Sequence, residues 1–249
     1  MQACYGIDIG GTKIELAAFD AGLQPLHRQR IDTPGRDYPA FLAAVAGLVQ
    51  AADAVLGQPA AAVGIAMPGV RDPDSGRLLS ANVPALTGQR VQEDLQHRLQ
   101  RPLQFGNDMQ CFALSEANGG AADGQPSMLG AILGTGAGGG YCVHGRLVSG
   151  YNGIAGEWGH WSVPAHLLER HGLPLLDCGC GLRGCVERYI AGGGVAMLHR
   201  HLGGDPADAS IVIERAHQGD ALAMRALQIH LDLLGHTLSM VALKSDLAG

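Results

Sequence analysis

A strand followed by a glycine turn and a second strand is the pattern that most constrains the fold, and it occurs twice. The first apolar segment contains Asp8 and leads through the turn GGTK at residues 10–13 into the apolar segment 14–19. The second copy runs from residues 128–133 through LGTGAGGG into YCV at residues 141–143. Glycine turns between apolar runs predict paired strands. The repetition predicts two domains of related design, each with a glycine loop facing a common cleft.

Strands and helices alternate along the rest of the chain, which predicts an α/β class. A glycine-rich linker at residues 118–126 (NGGAADGQP) separates an N-terminal domain, 1–117, from a C-terminal domain, 118–249. Apolar spacing predicts further strands near 26–31, 62–67, 103–105 and 146–148, and helices over 38–56, 91–99, 109–117, 186–201, 209–218 and 220–242.

Composition excludes several classes of protein. The 249 residues are 47% hydrophobic with a formal charge of −6, which is unlike a disordered chain or a general nucleic-acid-binding surface. No apolar run reaches the roughly 18–20 residues of a membrane helix, and the N-terminus does not resemble a secretory signal. Six cysteines are too few for a disulfide scaffold. We therefore expect a cytoplasmic protein that binds neither nucleic acid nor membrane.

Both glycine loops have the chemistry of phosphate-binding turns. Glycine lets backbone N–H groups approach an anion, and Asp8 is placed to hold Mg²⁺ near phosphates. Two common motifs do not fit, because Thr12 separates Gly11 from Lys13 and because GxGxxG at 134–139 is followed by a strand rather than a helix. Structural hairpin turns are the alternative. The candidate phosphate-binding residues are Gly10, Gly11, Thr12, Lys13, Gly134, Thr135 and Gly136.

The dipeptide Asn107-Asp108 follows a short predicted strand and precedes a helix. Either residue can cap the helix. Asp108 has a second interpretation, as a general base that accepts the proton of an attacking hydroxyl group. Asn107 has the donors and acceptor needed to fix neighbouring hydroxyl groups.

Three of the six cysteines lie in the short segment CGCGLRGC, at Cys178, Cys180 and Cys185. Together with His160 they supply three thiolates and one imidazole, the donor set of a structural zinc site. Free structural cysteines are the alternative, and a disulfide within this reduced, strained segment is disfavoured. Glu157 and Glu187 are polar residues close to this cluster in sequence.

Six motifs together resemble the repressor–ORF–kinase (ROK) family of sugar kinases. They extend over most of the chain: DIGGTK (8–13), MPG (67–69), ND (107–108), LGTGAGGG (133–140), AGEWGH (155–160) and CGCGLRGCVE (178–187). The resemblance implies an actin-like ATPase fold with two α/β domains and a cleft between them. It also implies ATP, Mg²⁺ and structural zinc as cofactors, and often a homodimer.

The resemblance assigns roles to individual residues. It places the catalytic base at Asp108, the two phosphate loops at the glycine turns, and the zinc ligands at His160, Cys178, Cys180 and Cys185. The sugar contacts that it implies are Gly69, Asn82, Asn107, Asp108, Glu157, His160 and Glu187.

Within the family, SANVPAL (80–86), NDMQCFALSEA (107–117) and the cysteine segment resemble bacterial N-acetylglucosamine kinases, whereas GYNGIAGEWGH resembles a fructokinase branch. The expected reaction is ATP-dependent phosphorylation of a hexose 6-hydroxyl, with N-acetyl-D-glucosamine favoured over fructose, mannose or glucose.

The sequence departs from the family pattern in two places: Met109-Gln110 follows the ND pair, and the chain stops before the family's last nucleotide-binding segments. The second makes a sugar-binding remnant an alternative function. A sugar-responsive repressor ranks last, because the first strand begins too early to leave room for a helix-turn-helix.

Overall fold

A computed structural model of the protein describes residues 3–80 and 83–246, with side chains as far as Lys244. The chain forms two compact units. Unit 1 comprises the residues up to Cys111 together with residues 150–154, and unit 2 comprises 112–149 and the chain from Ala155 onwards. The division lies inside a helix, N-terminal to the predicted domain boundary after residue 117.

Unit 1 is built on a five-stranded mixed sheet. The elements of this unit are β1 (Cys4–Ile9), β2 (Lys13–Phe19), β3 (Pro25–Asp32), α1 (Tyr38–Leu56), β4 (Ala62–Met67), β5 (Val70–Arg71), β6 (Leu78–Leu79), α2 (Val91–Leu99), β7 (Leu103–Asn107) and the start of α3 (Asp108–Ala117). The strand order in the sheet is β3-β2-β1-β4-β7. Strands β1 to β3 pair antiparallel, whereas β1, β4 and β7 run parallel.

Alternation of apolar residues explains the central strands of this sheet. Ile7 and Ile9 of β1, and Ile14 and Leu16 of β2, are buried, while the residues between them are more exposed. The predicted antiparallel pair around the first glycine turn is therefore confirmed. The parallel strands β1, β4 and β7 end at the same edge of the sheet, and polar residues follow at that edge.

Helix α1 shows how local sequence sets the limits of an element. Asp37 caps it by accepting a hydrogen bond from the Ala40 N–H at 2.9 Å, and Gly57 ends it in the left-handed conformation at φ 69°. Phe41, Val45 and other apolar residues on one face are buried in the core of unit 1. The helix spans 38–56, as predicted from the sequence.

Unit 2 combines a three-stranded antiparallel sheet, in the order β10-β9-β8, with a set of helices. Its largest apolar core includes residues from the helices and from the end of the second glycine turn. Besides the remainder of α3, its elements are β8 (Ser127–Leu133), β9 (Ala137–Val143), β10 (Arg146–Val148), a 3₁₀ turn (Trp158–His160), α4 (Ala165–His171), α5 (Glu187–Ile190), α6 (Gly192–His201), α7 (Ala209–His217) and α8 (Ala221–Asp246).

Three expectations about secondary structure were incomplete. The helix predicted over 186–201 is two helices, because Ala191 has an extended ψ of 176° that ends α5 and precedes α6. Strand β9 begins at Ala137 rather than near residue 141, so the glycines at 138–140 are part of the strand. The short pair β5 and β6 and the helix α4 were not predicted.

Two helices, α1 and α8, are long and apolar enough by length and composition to cross a membrane, although the sequence has no unbroken apolar run of that length. A core helix of a soluble protein satisfies the same criterion. In α1 the apolar face is buried against unit 1, which accounts for its composition.

Candidate active site

The first glycine turn, Gly10-Gly11-Thr12, joins β1 to β2 and is closed by backbone hydrogen bonds. The Gly10 N–H donates to the Lys13 carbonyl at 2.8 Å. Thr33, at the end of β3, donates its hydroxyl to the Gly10 carbonyl at 2.8 Å and its N–H to the Thr12 carbonyl at 3.0 Å. Thr33 was not predicted, because this contact depends on the pairing of β2 with β3.

Lys13 is the cationic side chain that was expected beside the phosphates. Its ammonium group forms an ion pair with Asp32 on the neighbouring strand β3. Both side chains are exposed, so the pair contributes little to stability. An exposed lysine of this kind can exchange its carboxylate partner for a phosphate.

Asp8 and Asp108 lie at the edge where the parallel strands end. Asp8 is on β1, and Asp108 directly follows β7. Burial is the main cause that raises the pKa of the Asp108 carboxyl, and the charge of Asp8 raises it further. The pKa of Asp8 is also raised, first by desolvation and then by the charge of Glu15. Asp8 nevertheless keeps a solvent-exposed surface. The negative charge of Asp8 is therefore felt at the Asp108 carboxyl, where it opposes ionisation.

The structure shows which of Asn107 and Asp108 caps α3. The Asn107 Oδ1 accepts the N–H groups of Met109 at 3.0 Å and Gln110 at 3.2 Å, so Asn107 caps α3. The Asp108 carboxylate accepts the N–H of its neighbour Met109 at 3.0 Å. Because Asn107 supplies the cap, Asp108 is not needed for that role, and its half-buried carboxylate stays the predicted base.

Gly69 lies beside this helix start in unit 1. Its carbonyl accepts a long hydrogen bond from the Asn107 Nδ2, at 3.4 Å. Gly69 has φ 118°, and a Cβ there would lie 2.4 Å from the Leu79 carbonyl oxygen, so the position requires glycine. The predicted sugar contact at Asn82 lies outside the described residues.

His160 in unit 2 presents its two ring nitrogens to different groups. Its Nδ1 lies 3.7 Å from the Cys178 sulfur and 3.7 Å from the Glu187 Oε1. Its Nε2 lies 3.8 Å from the Glu157 Oε2. The structure therefore brings together Glu157, His160 and Glu187, with one imidazole nitrogen turned to the cysteines and the other turned away from them.

The cysteine cluster has the donor set of a tetrahedral zinc site. One donor atom from each of His160, Cys178, Cys180 and Cys185 lies within 4.8 Å of the others. The Cys180 and Cys185 sulfurs are 3.5 Å apart, and all three cysteines are free thiols. Burial raises the pKa values of Cys178 and Cys185, so a bound cation would be needed to favour their thiolates. The residues fit a zinc ion.

The second glycine turn, Gly134-Thr135-Gly136, is connected to this cluster through Glu187. The Glu187 Oε2 accepts the N–H of Ala137, the residue after the turn, at 3.2 Å, while its Oε1 faces the Cys178 sulfur at 3.3 Å. The Gly134 carbonyl accepts the Gly192 N–H at the start of α6, at 2.7 Å. Gly192 was not predicted, although the run GGG at 192–194 was a signal that a backbone approaches there.

The chain matches the family model described as "ROK family" over residues 4–246. An N-acetylgalactosamine kinase from Shewanella sp. (strain ANA-3) is 46% identical over 97% of this chain and 78% of that protein. An N-acetyl-D-glucosamine kinase from Pectobacterium atrosepticum is 44% identical over 92% of this chain and 76% of its own length. A Yersinia pestis protein of the same name is 41% identical, with 95% of this chain and 94% of the relative covered.

Solved structures show the same fold. The ROK hexokinase from Thermus thermophilus has a TM-score of 0.82 and 30% identity, covering 98% of this chain and 79% of that one. A ROK family glucokinase from Streptomyces griseus, solved with glucose and AMPPNP, has a TM-score of 0.77 and 26% identity, covering 96% and 79%. These likenesses confirm the predicted α/β, actin-like ATPase fold.

Proposed function

Since the chain belongs to the ROK family, we propose that it is an ATP-dependent sugar kinase that phosphorylates the 6-hydroxyl of N-acetyl-D-glucosamine. The observation that carries the proposal is the arrangement at the end of β7. Asn107 caps the helix, so the Asp108 carboxylate is not needed as a cap. That carboxylate is half-buried and its pKa is raised, and in this proposal it accepts a proton. A raised pKa makes the carboxylate a stronger base, because the group holds the proton that it accepts more tightly.

Phosphoryl transfer requires positioning and charge stabilisation more than covalent chemistry by the protein. In the proposed mechanism Asp108 accepts the proton of the sugar 6-hydroxyl as that oxygen attacks the γ-phosphorus of ATP and ADP leaves. The glycine turns at 10–12 and 134–136 bind phosphate oxygens through backbone N–H groups. Lys13 adds a positive charge, and Asp8 would hold the Mg²⁺ that neutralises charge on the phosphates.

We propose that zinc is bound by His160, Cys178, Cys180 and Cys185. The ion would fix the His160 imidazole through Nδ1, the nitrogen that faces Cys178, and leave Nε2 for a sugar hydroxyl group. Glu157, 3.8 Å from that Nε2, and Glu187 then supply further acceptors for sugar hydroxyl groups. Gly69 and Asn107 in unit 1 stay predicted sugar contacts.

N-acetyl-D-galactosamine is the second candidate substrate. The relative at 46% identity carries the name of a kinase for that sugar, whereas several relatives at 41–44% are named for N-acetyl-D-glucosamine. The two sugars differ only in the configuration at C4, so discrimination depends on one hydroxyl group. Fructose, mannose and glucose remain the predicted alternatives outside the amino sugars.

The test is a coupled assay of ADP release with Mg-ATP and each of these sugars, followed by phosphorus NMR of the product. We expect the highest kcat/KM with N-acetyl-D-glucosamine and a phosphate at O6. A higher kcat/KM with N-acetyl-D-galactosamine would overturn the substrate assignment. Binding of sugar without turnover of any hexose would overturn the kinase assignment and favour a sugar-binding remnant.

The predicted cytoplasmic location rests on the composition, whereas the predicted homodimer rests on the family resemblance. Light scattering after size-exclusion chromatography tests the dimer: a mass of two chains is expected, and a mass of one chain would contradict it.

A further inference from the structure

Gln110 is a buried polar side chain in the first turn of α3, two residues after the proposed base Asp108. It is 6% exposed. A buried amide is costly unless its donors and acceptor are hydrogen-bonded, so its position here needs a reason in the surrounding structure. The sequence singled it out only as a departure from the family pattern.

The Gln110 side chain is bonded to a segment far away in sequence. Its Nε2 donates to the Gly153 carbonyl at 3.3 Å. Gly153 belongs to residues 150–154, which group with unit 1 although the chain on either side belongs to unit 2. Its φ of 70° is left-handed, and its N–H donates to the Gly150 carbonyl at 3.4 Å, so the segment forms a turn.

Apolar burial contributes little to holding this turn. Tyr151 is fully exposed and Ile154 is half exposed. A turn with few buried apolar contacts opens at low free-energy cost, so individual polar contacts have a larger share in fixing it. The contact from Gln110 is therefore well placed to control the conformation of residues 150–154.

The turn leads directly into the residues proposed to bind sugar. Ala155 follows it, and Glu157 and His160 lie a few residues later. At the other end of the contact, the Gln110 N–H donates to the Asn107 Oδ1 at 3.2 Å, which ties the same residue to the start of α3.

We infer that Gln110 is a positioning residue for the sugar substrate: its side-chain amide holds the turn 150–154 that leads into Glu157 and His160. This inference rests on the proposed function. Gln110 does not touch the reacting atoms in this account, so its loss affects sugar binding rather than phosphoryl transfer.

The test is Gln110→Met, which keeps the length of the side chain and removes its hydrogen bonds. We expect the KM for N-acetyl-D-glucosamine to rise about twofold to tenfold, the range for one neutral hydrogen bond. The kcat and the KM for ATP should stay within about twofold of wild type, as expected when only binding is lost. The matched control is Gln104→Met, the same change at an exposed position of β7.

Hydrogen exchange provides a readout that does not depend on activity. Faster exchange in peptides covering 149–156 is expected in Gln110→Met and not in Gln104→Met. Gln110→Asn, which keeps the amide but is shorter by one methylene, should fall between wild type and Gln110→Met in sugar KM. It also carries the test if Gln110→Met does not fold.

An unchanged sugar KM, or a fall in kcat together with a lower melting temperature, would overturn the inference. A wild-type protein that turns over no hexose would instead refute the proposed function. In that case, the rate of hydrogen exchange at 149–156 in Gln110→Met would still show whether Gln110 holds the turn.

Discussion

The two units have the same strand–turn–strand pattern around their glycine loops, but they hold different kinds of chemistry. In unit 1 the loop lies on a five-stranded sheet whose parallel strands end near Asp8 and Asp108, two carboxyl groups with raised pKa values. In unit 2 the loop is tied through Glu187 to a cluster of three thiols and an imidazole. We infer a division of labour: unit 1 supplies the base, and unit 2 supplies most of the sugar recognition.

The largest expected effect is on chemistry in unit 1. Asp108→Asn should lower kcat by about 10²- to 10⁴-fold, because an amide cannot accept the proton of the attacking hydroxyl group. The measurement is steady-state ADP release at saturating sugar and ATP. Asp37→Asn, which alters a helix cap outside the site and still caps, is the control and should retain full activity. Wild-type kcat in Asp108→Asn would refute the assignment of the base.

The next effect concerns the backbone that holds His160 in unit 2. A Cβ at Gly159 would lie 1.8 Å from the Ala137 carbonyl oxygen, so Gly159→Ala should lower the free energy of unfolding by about 2–3 kcal/mol. Gly193→Ala is the control, because a Cβ there meets nothing within 4 Å and lies in a helix. Calorimetric melting distinguishes them. Equal melting temperatures would show that the two backbones do not approach as closely as described.

Removal of the zinc should have a smaller effect, which we expect on sugar affinity and not on kcat. Chelation of the zinc is expected to weaken sugar binding by about tenfold, since the His160 imidazole loses the ion that orients it. Metal content and sugar affinity are measured on the same sample before and after chelation. Unchanged affinity in protein shown to be free of zinc would separate the cluster from the sugar site.

The smallest effect is a pH dependence of stability that belongs to unit 1. Burial raises the pKa of the Asp108 carboxyl above its ordinary value of 3.8, so ionisation of this group lowers the stability of the folded state. Wild type should therefore lose stability relative to Asp108→Asn as the pH rises through 3.8 towards neutral. Urea unfolding of both proteins across this range tests it. A difference that does not grow with pH would contradict the assigned burial.

Sequence periodicity was sufficient for most of the elements. The bounds of α1, β4, α2 and β10 agree with those predicted, because each has a regular apolar face between clear turn residues. It was not sufficient where a backbone contact decides the structure. The break at Ala191 places Gly192 against the Gly134 carbonyl. The glycine run at 192–194 indicates that a backbone approaches there, but nothing local identifies Gly134 as the partner.

The same limit applies to the site. The cysteine spacing and the upstream histidine predicted the cluster that the structure brings together, because ligand type and spacing carry that information. The choice between Asn107 and Asp108 as the helix cap could not be made from sequence, since either residue can cap. Thr33 and the Gln110 contact to Gly153 depend on pairs distant in the chain and were missed for that reason.

The most direct test of the division of labour is a calorimetric titration of N-acetyl-D-glucosamine into Asp108→Asn and Cys180→Ser. The account predicts that Asp108→Asn binds the sugar with an affinity close to wild type, whereas Cys180→Ser binds it about tenfold more weakly. Loss of sugar affinity in Asp108→Asn, with wild-type affinity in Cys180→Ser, would contradict it.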